Sequence, residues 1–291
     1  MRIGLIVMGA IALGSCGGKV APEAEAKPAG FVGADYKTES ARLAHGKRVS
    51  DLMGCTGCHG DALQGNDFGA MIPLLEGLWA TNISRTLPDM SDAELERLLR
   101  EGVHPDPGRE IYLMPSKQSQ FLSDADMAAL IAYLRTFEPT GEETPLPPED
   151  FEARVTAQLP DDYWAKRLED PRFHYHNSAE EADYFRENQP PELGAEHALG
   201  RYVAVTVCSG CHGAALDGMG EPAGSLAAAA RYDDAQMRAL LLDSQMLDGS
   251  AIMSPWTGAP AHVTDALNEE EKLAAGDYAR AWAKWNGGQG E

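Results

Sequence analysis

Apolar residues recur at helical spacing in four places along the chain, and a capping signature precedes each run. Ser91-Asp92-Ala93-Glu94 has capping-box spacing, and Leu95, Leu98 and Leu99 follow it. Asp233-Asp234-Ala235-Gln236 stands in the same relation to Met237, Leu240 and Leu241. Ser123 to Asp126 opens a helix with Met127, Leu130, Ile131 and Leu134 on one face. Asn268 to Glu271 opens another, with Ala274, Tyr278, Ala281, Trp282 and Trp285 at helical spacing, and these aromatics read as core. Two more helices are expected over 41–52 and 196–207, carrying Gly46 and Gly200, where the absence of a side chain permits close helix approach. The pattern predicts an all-α protein.

The elements form two sets in the same order: a helix, a cysteine motif, a middle helix, a loop with Met and Pro, and a final helix. The motifs are Cys55-Thr56-Gly57-Cys58-His59 and Cys208-Ser209-Gly210-Cys211-His212. Cys-x-x-Cys-His is the spacing of c-type haem attachment, in which the cysteines form thioethers and the histidine lies beneath the iron as an axial ligand. A zinc site or a pair of thioredoxin-like dithiols are the alternatives. Zinc needs four clustered ligands, whereas these motifs are far apart with one His each. A thioredoxin motif belongs at a strand end, and no strand run lies near either motif. Of the 5 cysteines, the motifs use all but Cys16, so no pair remains for a structural disulfide.

This order of parts resembles the class I cytochrome c domain. Its occurrence twice resembles the two-domain dihaem cytochromes c, among them the cytochrome subunits of periplasmic dehydrogenases. Glu101-Gly102-Val103 followed by Tyr112-Leu113-Met114-Pro115 is similar to the dehydrogenase-associated type. The resemblance implies two tandem class I domains, over 37–139 and 195–287, joined by a long ordered linker. It also implies two covalently bound haem c groups and a thioether as the sixth iron ligand, which raises the reduction potential. Met114 before Pro115 suits the first iron with His59, and Met253 before Ser254-Pro255 suits the second with His212. Met246 is the alternative to Met253, because the Met-Pro pattern is loosened there by one residue. Met71, Met90, Met127 and Met237 are read as packing or surface residues. Among the other histidines, His45 and His197 are expected at the surface, and His104 and His262 in loops near haem propionates. His174 and His176 are expected to be exposed polar residues, with metal binding or displacement of a Met ligand as the rival reading.

Residues 140–194 belong to neither repeat. Pro145, Pro147 and Pro148 open the stretch and Pro190-Pro191 close it. Disordered linkers are poor in aromatics, but this one holds Phe151, Tyr163, Trp164, Phe173, Tyr175, Tyr184 and Phe185. It is expected to pack, across both haem domains by preference, or else to form a partner-docking surface. At the front, residues 1–15 read as a lipoprotein signal peptide: a basic and then apolar run too short to span a bilayer, ending in Leu13-Gly14-Ser15-Cys16. Cys16 is the expected lipidation site, and 16–36 a flexible tether.

The formal charge of -21 excludes nonspecific nucleic-acid binding. It fits a solvated surface or docking to a basic patch of a partner. The function expected is that of a lipid-anchored electron carrier of the bacterial periplasm, without catalytic residues of its own. Its donor would be a dehydrogenase or quinol-oxidising complex, and its acceptor a cytochrome or oxidase. A dihaem peroxidase, or a haem oxidase of small molecules, is the rival from another class and requires one open or displaceable iron site.

Overall fold

The computed structural model describes residues 30–158, 177–218, 224–252 and 265–288. Cys16, His174, His176, Met253 and His262 lie outside them. The described chain is mostly helical, and the capping signatures become helix starts. Ser91 and Glu94 close a full capping box on the Asp92–Glu101 helix, Asp233 and Gln236 on Asp234–Asp243, and Asn268 and Glu271 on Glu269–Gly287. Ser123 caps Asp124–Leu134 by accepting from the Asp126 N–H. Each such cap satisfies amide groups that the helix itself leaves without partners. One short hairpin was not expected: Asn66–Asp67 pairs antiparallel with Trp79–Ala80, two residues each and too short to show an alternating pattern. Among the described residues, no helix is long and apolar enough to cross a membrane.

The same helix pairing is built twice. The Glu39–Leu52 helix crosses Asp124–Leu134 at Gly46, where a Cβ would stand 2.0 Å from the Ala129 carbonyl oxygen and 2.8 Å from the Tyr133 Cβ. The Ala198–Val203 helix crosses Glu269–Gly287 at Gly200, where a Cβ would stand 2.0 Å from the Ala274 carbonyl oxygen and 2.7 Å from the Tyr278 Cβ. Only glycine admits such an approach. The helices reach their motifs differently. The first breaks at Gly54, with φ 69°, before Cys55. The second runs on without a break through a π-helical turn, Ala204–Cys208, and reaches its first cysteine one residue sooner after the notch glycine.

Between the halves lies one apolar cluster, with Phe31, Val49, Leu52, Met127 and Leu130 from the first and Tyr202, Val203, Leu267 and Ala275 from the second. Inside it are two buried carboxylates. Asp126 accepts from His45 Nε2 (2.5 Å), Tyr202 Oη (2.5 Å), Ser123 Oγ (2.7 Å) and the Phe31 N–H (3.1 Å). Glu271 is paired with Arg48, whose Nε also donates to the Ala266 carbonyl at 2.9 Å. It also accepts from the Val32 N–H at 2.8 Å. Arg48 and Tyr202 each stand two residues after their notch glycine, so each half supplies the partner of the other's carboxylate. His45 is therefore not a surface residue: it is 6% exposed, drawn inward by Asp126. Tyr278 and Trp282 are buried as expected, but Trp285, in the last turn of its helix beyond the residues that pack on the core, is 40% exposed. Met127 and Met237 are buried packing residues.

The stretch between the repeats touches both. Asn82 donates to the carbonyls of Thr140 (2.7 Å) and Glu142 (2.8 Å), binding the chain's exit from the first half. The Ser178–Glu187 helix lies on Ser116–Ser119, held by Lys117 to Glu181 at 2.7 Å and Gln120 to the Ala182 carbonyl at 2.8 Å. Farther on, Arg201 donates to the Pro190 carbonyl at 3.1 Å and Tyr278 to that of Pro191 at 2.7 Å.

The two glycine notches are testable by overpacking. Gly46→Ala and Gly200→Ala should each cost about 2–3 kcal/mol in urea denaturation, whereas Gly57→Ala, with nothing within 4 Å of its Cβ position, should be tolerated. The buried carboxylate predicts a response to acid. Burial pushes the Asp126 carboxyl up, but hydrogen bonds from His45, Tyr202, Ser123 and the Phe31 amide outweigh it and hold the group below its ordinary value. A depressed carboxylate stabilises fully above its unfolded pKa of about 3.9 and loses that contribution as pH falls through the lower folded value. Stability should thus fall steeply below about pH 4. Asp126→Asn should flatten that slope while costing about 3 kcal/mol at neutral pH.

Candidate functional site

The first motif forms its own short helix, Cys55–His59, and the hairpin beyond it orients the histidine. His59 Nδ1 lies 2.8 Å from the Thr81 carbonyl, at the exit of that hairpin. The bond fixes the ring and its tautomer and leaves Nε2 free to bind a metal. Burial holds His59 below the ordinary histidine value, against the opposing pull of the Thr81 carbonyl. That direction favours the neutral imidazole, the form that can bind a metal.

The second motif repeats this arrangement. His212 Nδ1 lies 2.7 Å from the Gly224 carbonyl. The loops behind the two histidines also match bond for bond. Gly65 donates to the His59 carbonyl at 2.8 Å and Gly218 to that of His212 at 2.9 Å. Leu63 and Leu216, both 0% exposed, occupy the left-handed region with φ 57° and 64°. A leucine rarely holds that conformation unless its surroundings enforce it. The signal for this loop was present in the sequence as His-Gly-x-Ala-Leu-x-Gly, at 59–65 and 212–218, and the helical pattern did not draw attention to it.

A cavity of about 600 Å³ opens beside the first motif. Cys55, Cys58, His59 and Met114 all line it, with Leu95, Leu98, Leu99 and Leu130 among its apolar walls. Buried Leu95 and Leu99 come from the middle helix, so the apolar face read from its spacing is one wall of the cavity. Met90 lines it too. His104 lies in the wall, and beside it stands Arg109, which no sequence pattern singled out. Arg109 donates to Thr81 Oγ1 at 2.9 Å, so one residue, Thr81, orients both His59 and the cavity's guanidinium. Burial, with Arg109 nearby, holds His104 below its ordinary value.

These residues fit a haem. Its apolar faces match the leucines, its carboxylates match Arg109, and its vinyl groups match two cysteines aligned on one helical turn. Among the described residues no three His, Cys, Asp or Glu side chains cluster as a bare metal ion would need. Burial raises the Cys55 thiol to about 11 and the Cys208 thiol to about 12, the opposite of the lowered value that activates a redox dithiol. When bound, haem supplies an iron that changes charge by one electron. The residues that would hold it are His59 and Met114 toward the metal, Cys55 and Cys58 for the thioether links and Arg109 for the carboxylates, all of which line this cavity.

At the second motif, Cys208 packs against the shared core and Cys211 is exposed. Met246 sits in a tight turn, its N–H donating to the Ser250 carbonyl at 2.8 Å, and is 44% exposed. Met253 lies outside the described residues, and so do residues 219–223 directly before His212's partner Gly224.

Comparison with known proteins agrees with the first site. The cytochrome c family model matches residues 43–138. A nicotinate dehydrogenase subunit of Pseudomonas putida is 36% identical over 118 residues, a match covering 36% of this chain and 9% of that protein. The chain thus corresponds to a small part of the length of that relative. With the motif, the oriented histidine and most of the cavity's lining inside the matched span, residues 43–138 are a cytochrome c domain, which implies covalently bound haem c.

Proposed function

We propose that the chain is an exported, lipid-anchored dihaem cytochrome c that carries single electrons between redox partners of the bacterial periplasm. The observation that carries the dihaem reading is the repeat of bonded geometry behind His59 and His212. The same ring-to-carbonyl bond, the same pair of loop hydrogen bonds and the same left-handed leucine occur at both. The doubled glycine notch supports it. Domains over 37–139 and 195–287, with 140–194 between them, accord with this reading.

Carrier function rests on coordination. Met114 shares the first cavity with His59, which supports a closed shell of His59 and Met114 at the first iron. His212 and Met253 take the same roles at the second. Such fixed ligands keep the iron geometry nearly constant between oxidation states and leave no position for a substrate. The likeness to a subunit of a nicotinate dehydrogenase supports a dehydrogenase as donor, with a small cytochrome or an oxidase as acceptor. The formal charge of -21 favours a basic docking patch on the partner, so exchange should slow as salt rises. The lipid anchor rests on the sequence around Cys16.

Intact mass and in-gel haem staining of the exported protein should show two covalent haems, and a mass with one or none would refute the dihaem reading. In the same preparation, Met114→Ala and Met253→Ala should each remove the sulfur–iron absorption of one haem and lower its potential. An unchanged spectrum for Met253→Ala would move the assignment to Met246. Rapid peroxide turnover or ready carbon monoxide binding by the native protein would favour the peroxidase or oxidase alternative. The anchor is tested by fractionation: Cys16→Ala should leave the membrane fraction or remain unprocessed, and a wild type free of lipid in the soluble fraction would exclude it.

A further inference from the structure

Ser178 lies outside the cytochrome c match, at the start of the Ser178–Glu187 helix, and yet both ends of the methionine loop are bonded to it. Its N–H donates to the Ile111 carbonyl at 2.8 Å, and its Oγ accepts from the Met114 N–H at 3.1 Å. Between those anchor points stands Leu113, 60% exposed with φ 60°. A leucine in the left-handed region is strained, and Leu113 stands at the cavity wall beside Met114. The restraint comes from the residues bonded on either side.

Other contacts make the clamp rigid. Ser178 is 1% exposed, and its hydroxyl is not used to cap its own helix, because Asn177 Oδ1 accepts from the Ala179 and Glu180 N–H groups. Gly102, with φ 67°, lets the Ser178 backbone come so close that a Cβ there would stand 2.7 Å from it. Beyond Pro115, Lys117 pairs with Glu181 at 2.7 Å over the buried Phe185 ring. Met114 is thus flanked on both sides by attachments to one helix.

We infer that Ser178 is a positioning residue for Met114, and that the helix it begins serves to hold the methionine loop closed over the first metal site. The inference rests on Met114 being the axial ligand, as proposed above. Loss of the Ser178 hydroxyl leaves the Met114 N–H without its acceptor and releases Leu113 toward ordinary φ values, so the sulfur is displaced more easily.

The test is an imidazole titration of the full-length, haem-loaded ferric protein, following the sulfur–iron absorption. In Ser178→Ala, imidazole should displace the sulfur of one haem at about tenfold lower concentration than in wild type, the effect of one hydrogen bond with a desolvated donor left behind. The potential of that haem should fall and the other haem should titrate unchanged. Ser178→Thr, which keeps a hydroxyl, should restore most of the resistance. Glu181→Gln, which loosens the helix without touching the serine, should shift the titration in the same direction by a smaller factor. Asp183→Ala, on the exposed face, should not shift it. Wild-type titrations for Ser178→Ala and Glu181→Gln together, or an equal shift in Asp183→Ala, would overturn the inference. If Met114→Ala still abolishes the band in that case, the ligand assignment survives and only the clamp fails. If the band persists in Met114→Ala, the assignment itself fails and the clamp with it.

Discussion

Asp126 and Glu271 are each 0% exposed, and an unpaired charge in such a place costs several kcal/mol. Each takes one partner from the opposite half: Asp126 adds Tyr202 to its donors His45, Ser123 and Phe31, and Glu271 pairs with Arg48, each carried on the first helix of the opposite repeat. Consecutive amides of Phe31 and Val32 then reach one carboxylate each, so the entering chain is stitched into the same seam. Burial and the adjacent carboxylate push the Tyr202 phenol well above its ordinary range, so it stays protonated and donates. Because these bonds cross between halves reciprocally, they set one relative placement, which a purely apolar interface would leave free to slide.

That placement matters for both attachment sites. Cys55 and Cys208 border the same apolar cluster. Gln118, three residues after Pro115 in the methionine loop, donates to the Thr206 and Val207 carbonyls at 3.1 and 3.0 Å, directly before Cys208. The loop that carries Met114 is therefore joined by hydrogen bonds to the peptide that leads into the second Cys-x-x-Cys-His motif. Three strained leucines, Leu63, Leu113 and Leu216, stand next to the ligand-bearing segments. Their neighbours hold them by hydrogen bonds, which suits a function that requires coordination geometry to stay still while charge changes.

What could be read from the chain alone was what is encoded within a few residues. A capping box spans four residues, a helical face recurs every three or four, and Cys-x-x-Cys-His places thioethers and an axial ligand on one turn. The helix starts at Ser91, Ser123, Asp233 and Asn268 and the cytochrome c character of 43–138 were legible for that reason. Gly46 and Gly200 were legible as sites of close approach, though not the carbonyls they approach. His45 was misjudged because its partner, Asp126, lies 81 residues away. Arg109 was overlooked because a lone arginine in a loop carries no pattern, and only the fold brings it to Thr81. Ser178 reads as an ordinary residue at a helix start, and its bond to Met114 spans 64 residues. The sequence by itself determined the elements and their chemistry, since backbone hydrogen bonding and side-chain periodicity act locally. Tertiary structure decided which buried charges are paired and what restrains the methionine loop, since those depend on surfaces that meet only when the helices pack.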